Sequence, residues 1–231
     1  MARLLSVKLL LTAALACATS IRADDAAPDA RELLRSVRLA QGAKDWKLTG
    51  QLRMGRVKHP LRLEIEAGSI RYEFTDTSDS LTLRLGEKGA TLEERKGGRT
   101  AKITPAKFDA PVRGTDISYE DLAMRFLYWS DAKVVGSDII TAHACWKVEV
   151  RPPARGESQY SRVLLWIGKE DGALMKAESF GDTDKWARRF TVRSVMKREG
   201  FWLPKQLRIE SAAGQRADST PTYLELDDVE K

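Results

Sequence analysis

Apolar and polar residues alternate with a period of two over most of this chain. Trp46, Leu48, Leu52 and Met54 alternate with Lys47, Thr49, Gln51 and Arg53, and Leu61, Leu63 and Ile65 alternate with Arg62, Glu64 and Glu66. Each run predicts a strand with one dry and one wet face. The alternation continues through Ile70, Tyr72 and Phe74 and through Leu81, Leu83 and Leu85. Short connections at Ala67-Gly68, at 86–89 and at Gly97-Gly98 suit the hairpins of a meander. A loop carrying Pro105 and Pro111 interrupts it, and strands resume over 133–140, 145–150, 161–167, 173–180, 190–197, 203–211 and 222–229. The total is about eleven strands, with no stretch between them long enough to separate two domains.

Two segments follow a helical period instead. In the first, Asp29 caps a helix with Glu32 three residues on; Leu33, Leu34, Val37 and Ala40 form its apolar stripe, Arg31, Arg35 and Arg38 face water, and Gly42 ends it. The second runs from Ser118 to Trp129, with Ser118 and Asp121 as a capping pair and Glu120 and Asp121 in the first turn, where the helix dipole favours acids. Between Leu122 and Trp129 only Arg125 is charged, so this helix is apolar on more than the one stripe that docking onto a sheet requires. It must be buried on both sides or cover a hydrophobic cavity.

A sheet of this many strands cannot stay flat and open, because strands twist and free edges template aggregation. Curling into a barrel or half-barrel solves both problems, and a barrel this wide needs a plug or a ligand inside. The apolar helix is the available plug. Leu122, Phe126 and Trp129 fall at i, i+4 and i+7 and face the cavity, together with the inward strand residues Leu48, Leu52, Leu63, Tyr72 and Leu165. The fold expected is mainly β with helical additions, arranged as a container for an apolar ligand.

The start of the chain changes the charge picture. Arg3 and Lys8 precede and enter an apolar run over 9–18 that is too short to span a bilayer, as in a secretory signal peptide cut after Ala18 or Ala23. Residues 1–23 are then the leader and 24–231 a single domain. Losing Arg3, Lys8 and Arg22 and no acid lowers the formal charge from +6 to +3. The remaining cations alternate with acids, as on a solvated sheet face, and give no nucleic-acid footprint. Ala14-Leu15-Ala16-Cys17 approaches a bacterial lipidation signal, so an outer-membrane lipoprotein anchored at Cys17 is the alternative to a free periplasmic protein. Cys145 is the other cysteine, and neither count makes an internal disulfide framework.

Catalytic material is thin. His59 and His143 have no ligand-like neighbours at the spacings that metals require, and no nucleophile elbow or phosphate-binding glycine loop is present. Cys145 and His143 lack an orienting acid and an oxyanion hole. Asp116, Glu120 and Asp121 sit at a helix start, where acids are favoured on electrostatic grounds without any catalytic role. The expectation is a binding protein without catalysis, cofactor or metal, a carrier of apolar cargo; the alternative is a non-transporting envelope protein, lipid-anchored at Cys17, that uses the same fold for assembly or sensing.

The run Gly114-Thr-Asp-Ile-Ser-Tyr-Glu-Asp-Leu122, the strand Val163-Leu-Leu-Trp-Ile167 with its Lys-Glu-Asp turn, the strand through Lys176 and the Gly-Phe-Trp-Leu-Pro204 hairpin resemble the outer-membrane lipoprotein-sorting protein family, in order and spacing over roughly residues 30–230. The resemblance implies a LolA/LolB-like fold: an unclosed antiparallel β-barrel with a helical lid over an apolar cavity that takes acyl chains. It implies lipoprotein acyl chains or phospholipid as cargo, and transfer partners at the inner and outer membranes. For the arginine that latches the lid in that family, Arg113 and Arg125 are the neighbouring candidates.

Overall fold

The computed structural model describes residues 27–41, 44–212 and 220–227. The leader, Cys17 and Gly42 lie outside the described residues. Helix α1 (Ala30–Gln41) is followed by thirteen strands: β1 (Trp46–Met54), β2 (Val57–Glu66), β3 (Ser69–Phe74), β4 (Ser80–Leu85), β5 (Ala90–Lys96), β6 (Arg99–Lys102), β7 (Asp131–Ile140), β8 (His143–Arg151), β9 (Arg162–Gly168), β10 (Leu174–Phe180), β11 (Trp186–Arg198), β12 (Phe201–Ser211) and β13 (Thr222–Asp227). A short helix α2 (Tyr119–Ala123) lies between β6 and β7.

All thirteen strands form one antiparallel sheet in the order β6-β5-β4-β3-β2-β1-β13-β12-β11-β10-β9-β8-β7. Strands β1 to β6 are one meander and β7 to β12 a second. The last strand stitches them together: Leu52 of β1 lies opposite Leu224 of β13, and Leu224 lies opposite Leu207 of β12. β6 and β7 are the two edges and do not pair, so the barrel is unclosed.

The strand count exceeds the eleven read from the sequence by β5 and β6, the hairpin around Gly97-Gly98. In β5 only Leu92 is buried, and all four residues of β6 are exposed. Without a dry face such strands carry no period-two signal, and Arg99 and Lys102 keep the β6 edge from pairing with another chain.

Because β6 and β7 are opposite edges, residues 103–130 have to cross the sheet from one side to the other. Their first half packs on the β1–β6 meander: Ile103, Val112, Ile117, Leu122 and Ala123 join Leu48, Leu52, Leu61, Leu63, Tyr72 and Leu83 in one apolar cluster. Their second half packs on the other meander, where Phe126, Leu127 and Trp129 join Val148, Val163, Leu165 and Ala177.

That division breaks the expected helix. α2 spans only Tyr119–Ala123, Met124 adopts the left-handed conformation (φ 46, ψ 37), and a 3-10 turn covers Arg125–Tyr128. A straight helix would point Leu122 and Phe126 at the same wall. The left-handed residue costs about 1–2 kcal/mol and redirects the chain so that each half meets its own wall.

Helix α1 covers the second cluster with Ala30, Leu34 and Val37, and Asp29 caps it by accepting a hydrogen bond from the Arg31 amide at 2.7 Å. Leu33 is only half-buried and Ala40 is exposed, which narrows the predicted stripe. Arg38 does not face water. Its guanidinium donates to the Leu127 carbonyl and lies 4.9 Å from the Tyr128 ring, while Arg31 donates to the Ser130 carbonyl at 3.1 Å. α1 is thereby tied to the end of the crossing segment.

The stitch at β13 sets a packing constraint. A Cβ on Gly50 of β1 would lie 2.1 Å from the Glu225 carbonyl oxygen. Gly50→Ala is therefore expected to destabilise the protein by about 1–3 kcal/mol, whereas Gly89→Ala, which meets nothing within 4 Å, should stay within about 0.5 kcal/mol. Urea denaturation of the two variants checks this, and equal midpoints would show that the seam is not tight.

Candidate functional site

Where the crossing segment changes direction it leaves a gap against the sheet. The gap is a cavity of about 100 Å³ bounded by Ile117, Leu122, Met124 and Phe126 from the crossing segment, Tyr72 from β3, Leu174, Met175 and Ala177 from β10, Phe190 and Val192 from β11, Leu207 and Ile209 from β12 and Leu224 from β13. The wall is almost wholly apolar. Asp121, Lys176 and Thr191 are its polar members, and Lys176 is engaged elsewhere, with its ammonium 2.8 Å from Glu178 and 4.2 Å from the Trp166 ring. Burial pushes the Tyr72 phenol up to about 12, so it stays neutral.

The gap is smaller than the roughly 150 Å³ apolar cavity that admits benzene. An acyl chain of a dozen methylenes does not fit beneath the segment in this position. Filling the site with such a chain requires residues 117–126 to move off the sheet.

What holds them there is a buried polar network. Asp121 closes a capping box with Ser118: its Oδ2 accepts from the Ser118 amide at 3.0 Å and hydroxyl at 2.7 Å, and its own amide donates to Ser118 Oγ at 3.2 Å. The other carboxylate oxygen accepts from the Tyr160 hydroxyl at 2.6 Å, and Arg188 Nε of β11 lies 3.4 Å from Oδ2. Arg188 also donates to the Asp116 carbonyl. The Asp116 carboxylate accepts from Ser211 at 2.9 Å and from Thr222 at 3.2 Å, and its amide donates to Thr222 Oγ1 at 2.9 Å. Glu120 is tied to the loop before β9, accepting from the Gln159 amide at 3.2 Å.

The three acids read as electrostatically favoured helix-start residues are all buried. Asp121 performs the capping role assigned to it, and the acids also join the crossing segment to the loop before β9 and to β11, β12 and β13. Burial pushes the Asp121 carboxyl up, against the pull of Arg188, Tyr160 and Ser118. It pushes the Tyr160 hydroxyl up well above its ordinary range, with the Asp121 charge adding to the effect.

Of the eight residues proposed from the sequence to line a cavity, Tyr72, Leu122 and Phe126 border this one. Leu48, Leu52 and Leu63 are buried in the cluster of the first meander, and Trp129 and Leu165 in that of the second. Leu48, Leu52, Leu63 and Leu165 are strand residues covered by the two dockings of the crossing segment, and Trp129 lies beyond the break at Met124. Leu174, Phe190, Leu207 and Leu224 were missed, although each lies in a strand recognised from its alternation. Neither candidate latch arginine engages the sheet behind the cavity. Arg113 pairs with Asp76 at 2.6 Å over the Phe74 ring, and Arg125 lies 4.6 Å from the Phe108 ring and donates to the Glu157 carbonyl at 2.9 Å. The arginine that ties the crossing segment to the sheet is Arg188, which sits in a basic stretch of β11 and carries no sequence signal of its own.

Cys145 is buried, its thiol pushed up by burial. Among the described residues no cluster of three His, Cys, Asp or Glu side chains is placed to hold a metal ion. Among the same residues no helix is long and apolar enough to cross a membrane.

A family model described as "Uncharacterized protein" matches residues 96–230. No curated protein matches the sequence. Among solved structures, an outer-membrane lipoprotein-sorting protein domain from Vibrio parahaemolyticus superposes with a TM-score of 0.70 at 15% identity, covering 86% of this chain and 90% of that one. A DUF1329 family protein from Desulfovibrio piger gives 0.62 at 16% identity, covering 86% and 90%. A LolA superfamily protein from Nitrosomonas europaea gives 0.61 at 12% identity, covering 87% and 93%.

The buried Asp121 gives a pH signature. Its folded-state pKa is raised, so the unfolded chain ionises first as pH rises, and stability falls from the ordinary carboxylate pKa near 4 up to the raised folded value. Asp121→Asn removes that fall, so the stability difference between parent and variant should shift in favour of the variant across this window. Denaturation at a series of pH values measures it, and a constant difference would contradict the assignment. Arg188→Ala leaves the carboxylate buried without its cation and should cost about 3–5 kcal/mol.

Proposed function

This chain belongs to the family whose model matches residues 96–230 and is LolA-like, with the fold of the outer-membrane lipoprotein-sorting proteins, and we propose that it is a periplasmic carrier that shields acyl chains during transfer to the outer membrane. The observation that carries this reading is the apolar gap between the crossing segment and the concave face of the sheet. Its walls come from β3 of the first meander, β10, β11 and β12 of the second and the stitching strand β13, so it sits where a ligand touches both halves of the sheet at once. The cargo is a lipoprotein's acyl chains or a phospholipid. The leader at 1–23 delivers the chain to the periplasm, and membrane-bound partners on either side supply and receive the cargo.

Loading proceeds by exchange of apolar contacts. A chain of a dozen methylenes gains about 10 kcal/mol on leaving water at about 0.8 kcal/mol each. Against this stand the contacts that Leu122 and Phe126 give up and the hydrogen bonds around Asp121. The incoming chain replaces the first set with equivalent apolar contact, so the polar network sets the threshold for opening. No covalent step is involved, and the residues at the gap bind and orient without reacting.

Ala177 tests this because it is a small residue on the cavity wall. Ala177→Leu fills the space and is expected to keep or raise the melting temperature while lowering uptake of a fluorescent acyl-chain analogue at least tenfold. Phe126→Asp, which places a charge inside the second cluster beside the gap, should abolish uptake. Undiminished uptake by folded Ala177→Leu protein would sink the cavity as the binding site.

A further inference from the structure

The hairpin between β11 and β12 carries two aromatic rings out of the fold at the end of the sheet where β1 begins. Phe201 and Trp202 are 46% and 54% exposed, just beyond a turn in which Glu199 and Gly200 have φ of 45 and 88. Phe201 lies edge-on to Trp46, 6.1 Å between centroids at 74°. Leu39, 61% exposed, opens onto the same end across a depression that it shares with the turn residues Gly68 and Gly86. Three of the six large hydrophobic residues exposed among the described residues therefore gather at one end.

The charges around the rings are mainly basic. Lys197 lies opposite Trp202 with its ammonium 5.5 Å from the indole, and Arg198 lies opposite Phe201. Lys44 is 5.5 Å from the Phe201 ring and 5.0 Å from Trp46, and Lys205 is exposed three residues along β12 from Trp202. The acids nearby are Asp45, Glu199 and Asp227 at the end of β13, with Glu87 beside the depression, and Glu199 is bound by Lys44. Lysine stems beside exposed indole and phenyl rings match a surface that is apolar beneath and negatively charged on top. Such a surface is the headgroup region of an anionic bilayer, where tryptophan settles and each lysine adds attraction.

We propose that this end of the barrel docks on an anionic lipid membrane, with Trp202, Phe201 and Leu39 entering the headgroup layer and Lys197 and Lys205 facing the lipid phosphates. The proposal rests on the carrier reading, since a protein that collects or delivers acyl chains has to meet a bilayer. Docking at the β11–β12 tip places two cavity-lining strands directly above the membrane, because Val192 and Leu207 lie farther along the same hairpin.

Flotation with vesicles tests it, using mature protein secreted from cells that express the full chain with Cys17→Ser, so that neither a lipid anchor nor the apolar leader can hold it. Vesicles of phosphatidylglycerol and phosphatidylethanolamine should carry the protein at low salt, and phosphatidylcholine vesicles at least tenfold less. Trp202→Ser should weaken binding at least tenfold and Lys197→Gln about fivefold, with the second effect fading in high salt. Ala177→Leu should float like the parent, which separates docking from loading. Equal flotation of parent and Trp202→Ser would overturn the proposal. So would a dimer in solution that Trp202→Ser dissolves while vesicles carry neither protein. If docking fails but acyl-chain uptake from solution persists, only the docking surface falls. If docking holds and uptake is absent, the carrier reading falls instead.

Discussion

Everything in this fold depends on one connection. The two meanders end on opposite edges of a thirteen-stranded sheet, and the chain between them has to cross the concave face. Such a crossing cannot be a polar loop, because it lies where both halves of the sheet present their dry sides. It is built instead from apolar residues that complete two separate clusters, and the direction change at Met124 is the consequence of serving both. The cavity is what remains between the two dockings. It is a product of topology before it is a product of any particular side chain.

The same connection explains why polar residues are buried at the centre of an apolar face. Ser118 and Asp121 satisfy the backbone of a short helix that has no length to stabilise itself, Asp116 precedes it and Glu120 lies in its first turn, and the outward partners Tyr160, Gln159, Arg188, Ser211 and Thr222 come from the second meander and the stitching strand. Buried ion pairs contribute little net stability but are costly to break from one side. Hydrophobic packing alone would let the segment slide, since one apolar wall resembles another. The network gives it one address, and it confines the energetic threshold for displacement to a few hydrogen bonds beside the gap.

Much of the architecture was legible in the sequence because half-buried strands announce themselves. Leu48, Leu52, Leu61, Leu63, Ile70, Tyr72 and Leu83 alternate as their faces do, and the unclosed antiparallel barrel follows from their number and from the resemblance in the 114–122 and 163–167 runs. What was not legible has physical causes. β5 and β6 are wet on nearly every side and leave no period. The break at Met124 is invisible to periodicity because it is imposed by tertiary contacts made on both sides of it, and methionine is an unremarkable helix residue. The cavity walls were legible only in part, since Leu165 and Leu174 look alike as sequence and both pack in the α1 cluster, while only Leu174 borders the gap. Arg188 could not be picked out at all, lying beside Arg189 ahead of the strand read at 190–197, in a part of β11 whose burial does not alternate.

The central claim is that the gap under the crossing segment holds acyl chains in the cell. Mass spectrometry of the intact protein, isolated from its native envelope without detergent and sprayed under conditions that keep bound molecules attached, tests that claim most directly. The account predicts a population carrying lipid or lipoprotein, whose added mass names the cargo. A protein that emerges at its bare mass alone, from cells and after incubation with phospholipid, would contradict it.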